Sequence, residues 1–268
     1  MAEEDAKVLV VLTPSESKRL IAKAVRKLDE VERALERGTV IIGLGTTNAY
    51  VAEELLNALR DKDEAVAKIE KERFAAGVIT HRGTCIVPRE ERGKELIIRG
   101  GRISDVTLEE ALEELRADDV FIKGANALDV NGTAGILMAN PAGGTIGSAI
   151  GTVMARGVNF IIPVGIEKTI PYPITEAAKR VGIGRFYKSV GKPVGLMPVY
   201  GKVITEIEAL KILGASNAFP MGAGGVEGGE GSAVICAEGS AEQMDRLMQI
   251  ITQIKGEPAL KLVNVGYE

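Results

Sequence analysis

The chain alternates short, wholly apolar runs with amphipathic helical stretches, and nearly every apolar run ends in a glycine-rich or polar turn. That alternation constrains the fold more than any other feature. KVLVVL at 7–12, TVII with Gly43 at 39–43, DDVFI ending at Ile122, and VNFIIPVG at 158–165 lack the in-out alternation of a half-wet strand. Strands apolar on both faces must be covered on both faces, which is the signature of a parallel sheet sandwiched between helices. The expected class is therefore α/β: a Rossmann-like parallel sheet with helices on both faces. Aromatics are 4% of the 268 residues and Trp is absent, so the core must be aliphatic.

The elements follow from local signals. Thr13 or Ser15 caps a helix with Leu20, Ile21, Val25, Leu28, Val31 and Leu35 at helical spacing, and Gly38 ends it. A second helix starts near Thr46. The charged segment 61–95 resists assignment, although FAAGVIT and TCIVP within it read as short strands. ELIIRGGRI at 95–103 reads as a strand running into a Gly-Gly turn. Thr107 with Glu110 forms a capping-box pattern before the next helix. After about residue 190 the pattern becomes β-α-β-β-α-β, ending with PALKLV at 258–263, the order of a ferredoxin-like unit. Ser240 with Gln243 caps its second helix. Two domains are expected: 1–190, holding the ligand, and 191–268, the small α+β unit.

Composition removes several function classes. The net charge of −4 argues against a nucleic-acid partner, which needs a basic face. No apolar run is long enough to span a bilayer, so no membrane partner is expected. The opening MAEEDAK lacks the order of a secretion signal, and Cys85 and Cys236 read as reduced thiols, so the expected location is cytoplasmic. Three Gln against many Glu, Lys and Arg hint at a heat-adapted source. His81 is the sole histidine, which excludes multi-His zinc sites. Glu227 and Glu230, in the glycine-rich loop 222–231, lack a histidine partner for a metal. Neither metal nor cofactor is expected. The apolar helix MDRLMQIITQI and open sheet edges make a homo-oligomer the expected assembly.

Four turns carry the candidate chemistry. In GLGTTN, Gly43 and Gly45 permit a tight turn and close backbone approach, while Thr46, Thr47 and Asn48 offer donors where a helix begins. A helix N-terminus with free N–H groups suits an anion such as a phosphate. The alternative is a plain turn capped by Thr46. In KGANALD, Lys123 can pair with a phosphate or act as an amine nucleophile, Asn126 can contact a ligand, and Asp129 can move a proton. Alternatively, Asn126 and Asp129 only shape a turn and Lys123 is solvated. In NPAGGTIGSAIG, Gly143, Gly144 and Thr145 form a second possible anion seat, with Ser148 one turn deeper. The same small residues would also suit close helix-on-sheet packing. In GIEK, Lys168 adds charge and Glu167 a carboxylate. The expected ligand is a small anionic metabolite.

Together these segments resemble ribose-5-phosphate isomerase A over residues 13 to 170. TVIIGLGTTNAYVAEEL is similar to that family's opening strand, GLGTGST-like loop and helix. DDVFIKGANALD stands where the family has D-G-A-D-E, AGGTIGSAI where it has K-G-G-G, and VNFIIPVGIEK where it has a strand ending in D-E-S-K. The resemblance implies the wider superfamily of that isomerase, glucosamine-6-phosphate deaminase, sugar-sensing repressor domains and CoA transferases. The departures are specific. Lys123 and Asn126 replace the two aspartates, and the glycine loop lacks the preceding lysine and following catalytic glutamate. Asp129 and GLGTTN survive in kind. Without the family's carboxylates, the resemblance implies a small phosphorylated sugar or similar anion in the cleft but not ribose-5-phosphate isomerase activity itself; the expected reaction is an isomerisation of such a ligand, with Lys123 and Asp129 as catalytic residues. Its alternatives are a metabolite-binding regulatory protein, or CoA-transferase-like acyl transfer with Glu167 as nucleophile.

Overall fold

The computed structural model describes residues 5–60, 66 and 68–262. β1 (Asp5–Leu12) leads into α1 (Pro14–Arg26), which Thr13 caps through a reciprocal box with Glu16. The single helix expected to reach Gly38 is two helices. α1 closes at Lys27, Leu28 turns extended, and α2 (Asp29–Arg37) begins at once. Leu28 and Val31 stay buried, so the break re-aims the apolar stripe without exposing it.

β2 (Thr39–Ile42) runs through the turn at 43–45 into α3 (Thr46–Arg60). A hairpin of β3 (Gly77–Thr80) and β4 (Gly83–Ile86) follows, then a second of β5 (Leu96–Arg99) and β6 (Arg102–Ser104). Gly100 and Gly101, both at positive φ, form that turn. Thr107 caps α4 (Leu108–Glu114) through the expected box with Glu110. β7 (Val120–Ile122), β8 (Ala127–Asp129) and β9 (Ala134–Met138) lead to α5 (Gly144–Arg156) and β10 (Asn159–Pro163). The remainder is β11 (Thr169–Ile170), α6 (Ile174–Arg180), β12 (Gly195–Val199), β13 (Lys202–Ile204), α7 (Glu206–Ile212), β14 (Asn217–Gly224), β15 (Ser232–Ser240) and α8 (Ala241–Ile254).

The central sheet has the order β13-β10-β7-β2-β5-β6. Its four strands β13, β10, β7 and β2 are mutually parallel, while β5 and β6 add antiparallel. The sheet is therefore mixed. Alternate residues feed two cores, as continuous apolar strands require. Val40, Ile42, Ile98, Val120, Ile122 and Ile161 pack with α1, α2, α3, α7 and α8. On the other face Ile41, Ile97, Phe121, Phe160 and Ile162 pack with α4, α5 and β9. Phe121 and Phe160 meet at 5.4 Å between ring centroids.

The segments expected to form one ferredoxin-like sheet within 191–268 are distributed over three sheets. β12 pairs with β9, β13 extends the central sheet beside β10, and β14 with β15 joins β1 from the other end of the chain. Residues 258–262 form no strand, and Val263 lies outside the described residues. The local hydrophobic pattern was compatible with four strands, but partner choice is set by burial across the whole chain. β1 lies edge to edge with β15 and turns Val10 and Leu12 into the core, a pairing that links Asp5 to Ser240. Three pairings thus cross residue 190. The C-terminal segment is fastened by charge as well: Arg19 donates to Glu54 at 2.8 Å, to Glu257 at 2.9 Å and to Glu53, and its guanidinium lies 4.9 Å from the Tyr50 ring centroid. No helix among the described residues is long and apolar enough to cross a membrane.

Candidate functional site

Parallel pairing of β2 with β7, and of β7 with β10, brings three strand ends to one edge of the sheet. The loops that leave them, with the β3–β4 hairpin, enclose a cavity of 380 Å³. Ligands in open α/β sheets bind at this edge, outside the carboxyl ends of the strands.

The glycine turn after β2 works differently from the sequence expectation. Neither Gly43 nor Gly45 takes a positive φ. What matters at Gly43 is the missing side chain: a Cβ there would lie 2.7 Å from Cδ of Lys123. Gly43 makes room for the lysine and lies behind the cavity wall. The turn is held by Gly43 N–H donating to the Ile122 carbonyl and Gly45 N–H donating to the Phe74 carbonyl, each at 2.9 Å. Asn48 is fully buried and its Nδ2 donates to the Gly43 carbonyl at 2.6 Å, so its amide group shapes the turn. Gly45, Thr46 and Thr47 line the cavity where α3 begins. Thr47 Oγ1 is buried and has no hydrogen-bond partner among the described residues. A buried polar atom without a partner carries a cost, and at a cavity wall a ligand can relieve it.

Lys123, the first residue after β7, lies in the same wall. Its Nζ donates to the Leu44 carbonyl at 2.9 Å, which joins the two expected motifs in space. Burial pushes its pKa down to about 8, with partial restoration by Glu95 and a further lowering by Lys168. Lys168 donates to the Ala125 carbonyl at 3.0 Å and is also held below its ordinary range by burial, offset by Glu167 and Glu206. Asn126 lines the cavity too, its Oδ1 accepting the Leu137 N–H at 3.0 Å.

Gly143 and Gly144, both at positive φ, deliver the N-terminus of α5 to the cavity, with Thr145 in its first turn. Thr145 Oγ1 donates to Glu95 Oε1 at 2.8 Å. Ser148, one turn deeper, is exposed and outside the cavity wall. The first-turn N–H groups of α3 and α5 have no partner within their own helices, so two helix N-termini face one cleft.

Asp129 stands apart from this group. It is buried outside the cavity. Oδ1 accepts the Asn131 and Thr133 N–H groups, each at 2.9 Å, and Oδ2 accepts that of Ile174 at 3.0 Å. Those bonds outweigh burial and hold its pKa below the ordinary carboxylate value. It ties the β8–β9 turn to α6, and the structure does not bring it together with Lys123 at the cavity, where a proton-moving role was expected of it. Glu167 is likewise outside the cavity wall, its carboxylate folded back against Gly165. It faces Glu206, which is fully buried at the start of α7 and accepts the Ile166 N–H at 2.9 Å. Burial first, and then the Glu167 charge, push Glu206 up to about 7. His81 is exposed at the β3–β4 turn. Among the described residues no cluster could hold a metal ion, and Cys85 and Cys236 are buried free thiols.

Three charged groups of the cavity were not identified from the sequence: Arg92, Glu95 and Lys192. Arg92 and Glu95 belong to the charged segment that has no periodicity to place it. Lys192 arrives through a contact far apart in sequence. Thr84 and Gly191 form an isolated bridge; Lys192 N–H donates to the Thr84 carbonyl at 2.7 Å, and Thr84 Oγ1 donates to the Lys192 carbonyl at 2.5 Å. Among the described residues the cavity thus carries four cations, Arg92, Lys123, Lys168 and Lys192, against one carboxylate, Glu95. Comparison with protein-family models, with curated proteins and with solved structures returned no match.

Proposed function

We propose that this chain binds a small phosphorylated metabolite, of the sugar phosphate class, in the strand-end cleft and isomerises it. The observation that carries the reading is the meeting of Lys123 with the turn at 43–48 under a surplus of positive charge. The cleft offers the N-termini of α3 and α5 and the unpartnered Thr47 hydroxyl to a phosphoryl group. The motif resemblance to ribose-5-phosphate isomerase A supports the same reading, with the central sheet as a Rossmann-like element and the chain as a divergent member of that superfamily. In this scheme Glu95, the one carboxylate in the wall among the described residues, takes a proton from the carbon beside the substrate carbonyl. The Lys123 ammonium stabilises the oxygen that becomes negative; Glu95 returns the proton to the former carbonyl carbon, while the proton of the adjacent hydroxyl passes to that oxygen so that the carbonyl forms on the neighbouring carbon.

The test is proton exchange with solvent, followed by NMR on a panel of sugar phosphates in deuterated water. Deuterium incorporation and product are expected for one of them, and Glu95→Gln and Lys123→Met should each slow turnover by about a hundredfold or more. Turnover unchanged in both variants would end the catalytic assignment. A second reading is a binding protein that senses the metabolite without converting it. It is favoured by the engagement of Asp129 with backbone N–H groups and of Glu95 with Thr145. Saturable binding with no exchange after prolonged incubation selects it.

A further inference from the structure

The cations of the cleft come in two groups with different origins. Lys123 and Lys168 follow the strand ends and are each anchored to a carbonyl, of Leu44 and Ala125. Glu95 lies against this inner group, close enough to raise the Lys123 pKa and to accept from Thr145. Arg92 and Lys192 come from elsewhere. Arg92 sits in the segment between β4 and β5, whose Gly93 N–H donates to the Arg73 carbonyl at 2.8 Å. Lys192 is fixed to the β3–β4 hairpin by its two bonds with Thr84. Neither Arg92 nor Lys192 forms an ion pair with any described residue.

This segregation has a chemical consequence. One phosphoryl group, carrying about two negative charges at neutral pH, is matched by Lys168, the Thr47 hydroxyl and the helix N-termini, with Lys123 left for the oxygen of the reacting carbonyl. Arg92 and Lys192 then remain as two uncompensated cations in the same cavity, where confinement strengthens charge interactions. A volume of 380 Å³ is within the roughly 300–1,000 Å³ of sites that enclose a whole small molecule and far exceeds the needs of a phosphate alone. The wall also includes short polar and apolar side chains, among them Asn126, Thr84 and Ile86, which suit a compact linker.

We propose that the ligand is a doubly anionic metabolite: a phosphoryl group at the inner site and a second anionic group, phosphoryl or carboxylate, held by Arg92 and Lys192. The proposal rests on the phosphate-cleft reading above and sharpens its substrate class. Arg suits either group because its planar fork pairs with two oxygens at once.

The test uses calorimetric titration of the full chain with pairs of probes that share a carbon skeleton: glycerol 3-phosphate against 3-phosphoglycerate, and fructose 6-phosphate against fructose 1,6-bisphosphate. The doubly anionic member of at least one pair should bind at least tenfold tighter. Arg92→Gln with Lys192→Gln should abolish that preference, weakening the doubly anionic member at least tenfold more than the singly phosphorylated one. Thr47→Val with Lys123→Met should weaken both members of the pair. Equal affinities within each pair, with binding of the monophosphates intact, would overturn the two-anion proposal and leave the phosphate cleft standing. No binding of any probe, inorganic phosphate included, would overturn both.

Discussion

Lys123 gives the cleft a calculable pH response. Its ammonium has a pKa of about 8 in the ligand-free protein, because burial disfavours the charge more than Glu95 restores it. A ligand phosphoryl group has its second pKa near 6, so it stays dianionic as the lysine titrates. If only the ammonium form binds, the apparent Kd scales with one plus the ratio of neutral to protonated lysine. Raising the pH from about 7 to about 9 then weakens binding about tenfold, or about 1.4 kcal/mol. Lys168 is also held below its ordinary range, so its titration acts in the same direction. The bound anion favours the charged lysine, so at about pH 8 binding takes up about half a proton. Titration calorimetry in two buffers of different ionisation enthalpy measures both quantities. Lys123→Met should cost about tenfold to a hundredfold in affinity at neutral pH, the worth of one charge-assisted hydrogen bond, and should flatten the profile. A Kd that is constant from pH 7 to pH 9 without proton uptake would refute the reasoning, as would a steep profile that survives in Lys123→Met.

Other consequences follow from single residues. Glu206 has a folded pKa of about 7 against an ordinary value of 4.5, so the unfolded chain ionises first and stability falls across that interval by about 3 kcal/mol. Glu206→Gln should remove that slope, and urea unfolding at pH 5 and pH 8 should show the variant gaining on the wild type only at the higher pH. Gly43→Ala should displace Lys123, because the new methyl group would sit 2.7 Å from its Cδ; anion affinity should fall severalfold, with a loss of stability of about 1–3 kcal/mol from the overpacking. Arg19→Met leaves Glu54 and Glu257 without their buried partner and should destabilise the protein by about 3–5 kcal/mol in denaturant titration.

The parts of this molecule that were legible in the sequence are those fixed by neighbours along the chain. The capping boxes at Thr107 and Ser240 need only two residues three apart, and both form as expected. The runs at 39–42, 120–122 and 159–163 read as fully buried strands because they have no polar face, and their parallel order places Lys123 beside the turn at 43–48. What could not be read depends on distant partners. β1 and β15 pair across most of the chain, and β12 and β13 join sheets begun before residue 190. The bend at Leu28 has neither Gly nor Pro to announce it. Asp129 and Glu95 illustrate the same limit at the site: the one in the motif lies outside the cavity with its oxygens occupied, and the one in an unpatterned segment lines it.

The central claim is that an anion of phosphorylated type occupies the cleft at the ends of β2, β7 and β10. A thermal-shift screen against sugar phosphates, nucleotides, CoA esters and inorganic phosphate tests it most directly, with Thr46→Val, Thr47→Val as the control protein. A ligand at about a hundred times its Kd stabilises the folded state by about 2.7 kcal/mol, which for a chain of this size raises the melting temperature by about 5–10 °C. The account predicts such a shift with a sugar phosphate and its loss in the double variant. No shift with any phosphorylated compound at millimolar concentration, or an equal shift in the double variant, would contradict it.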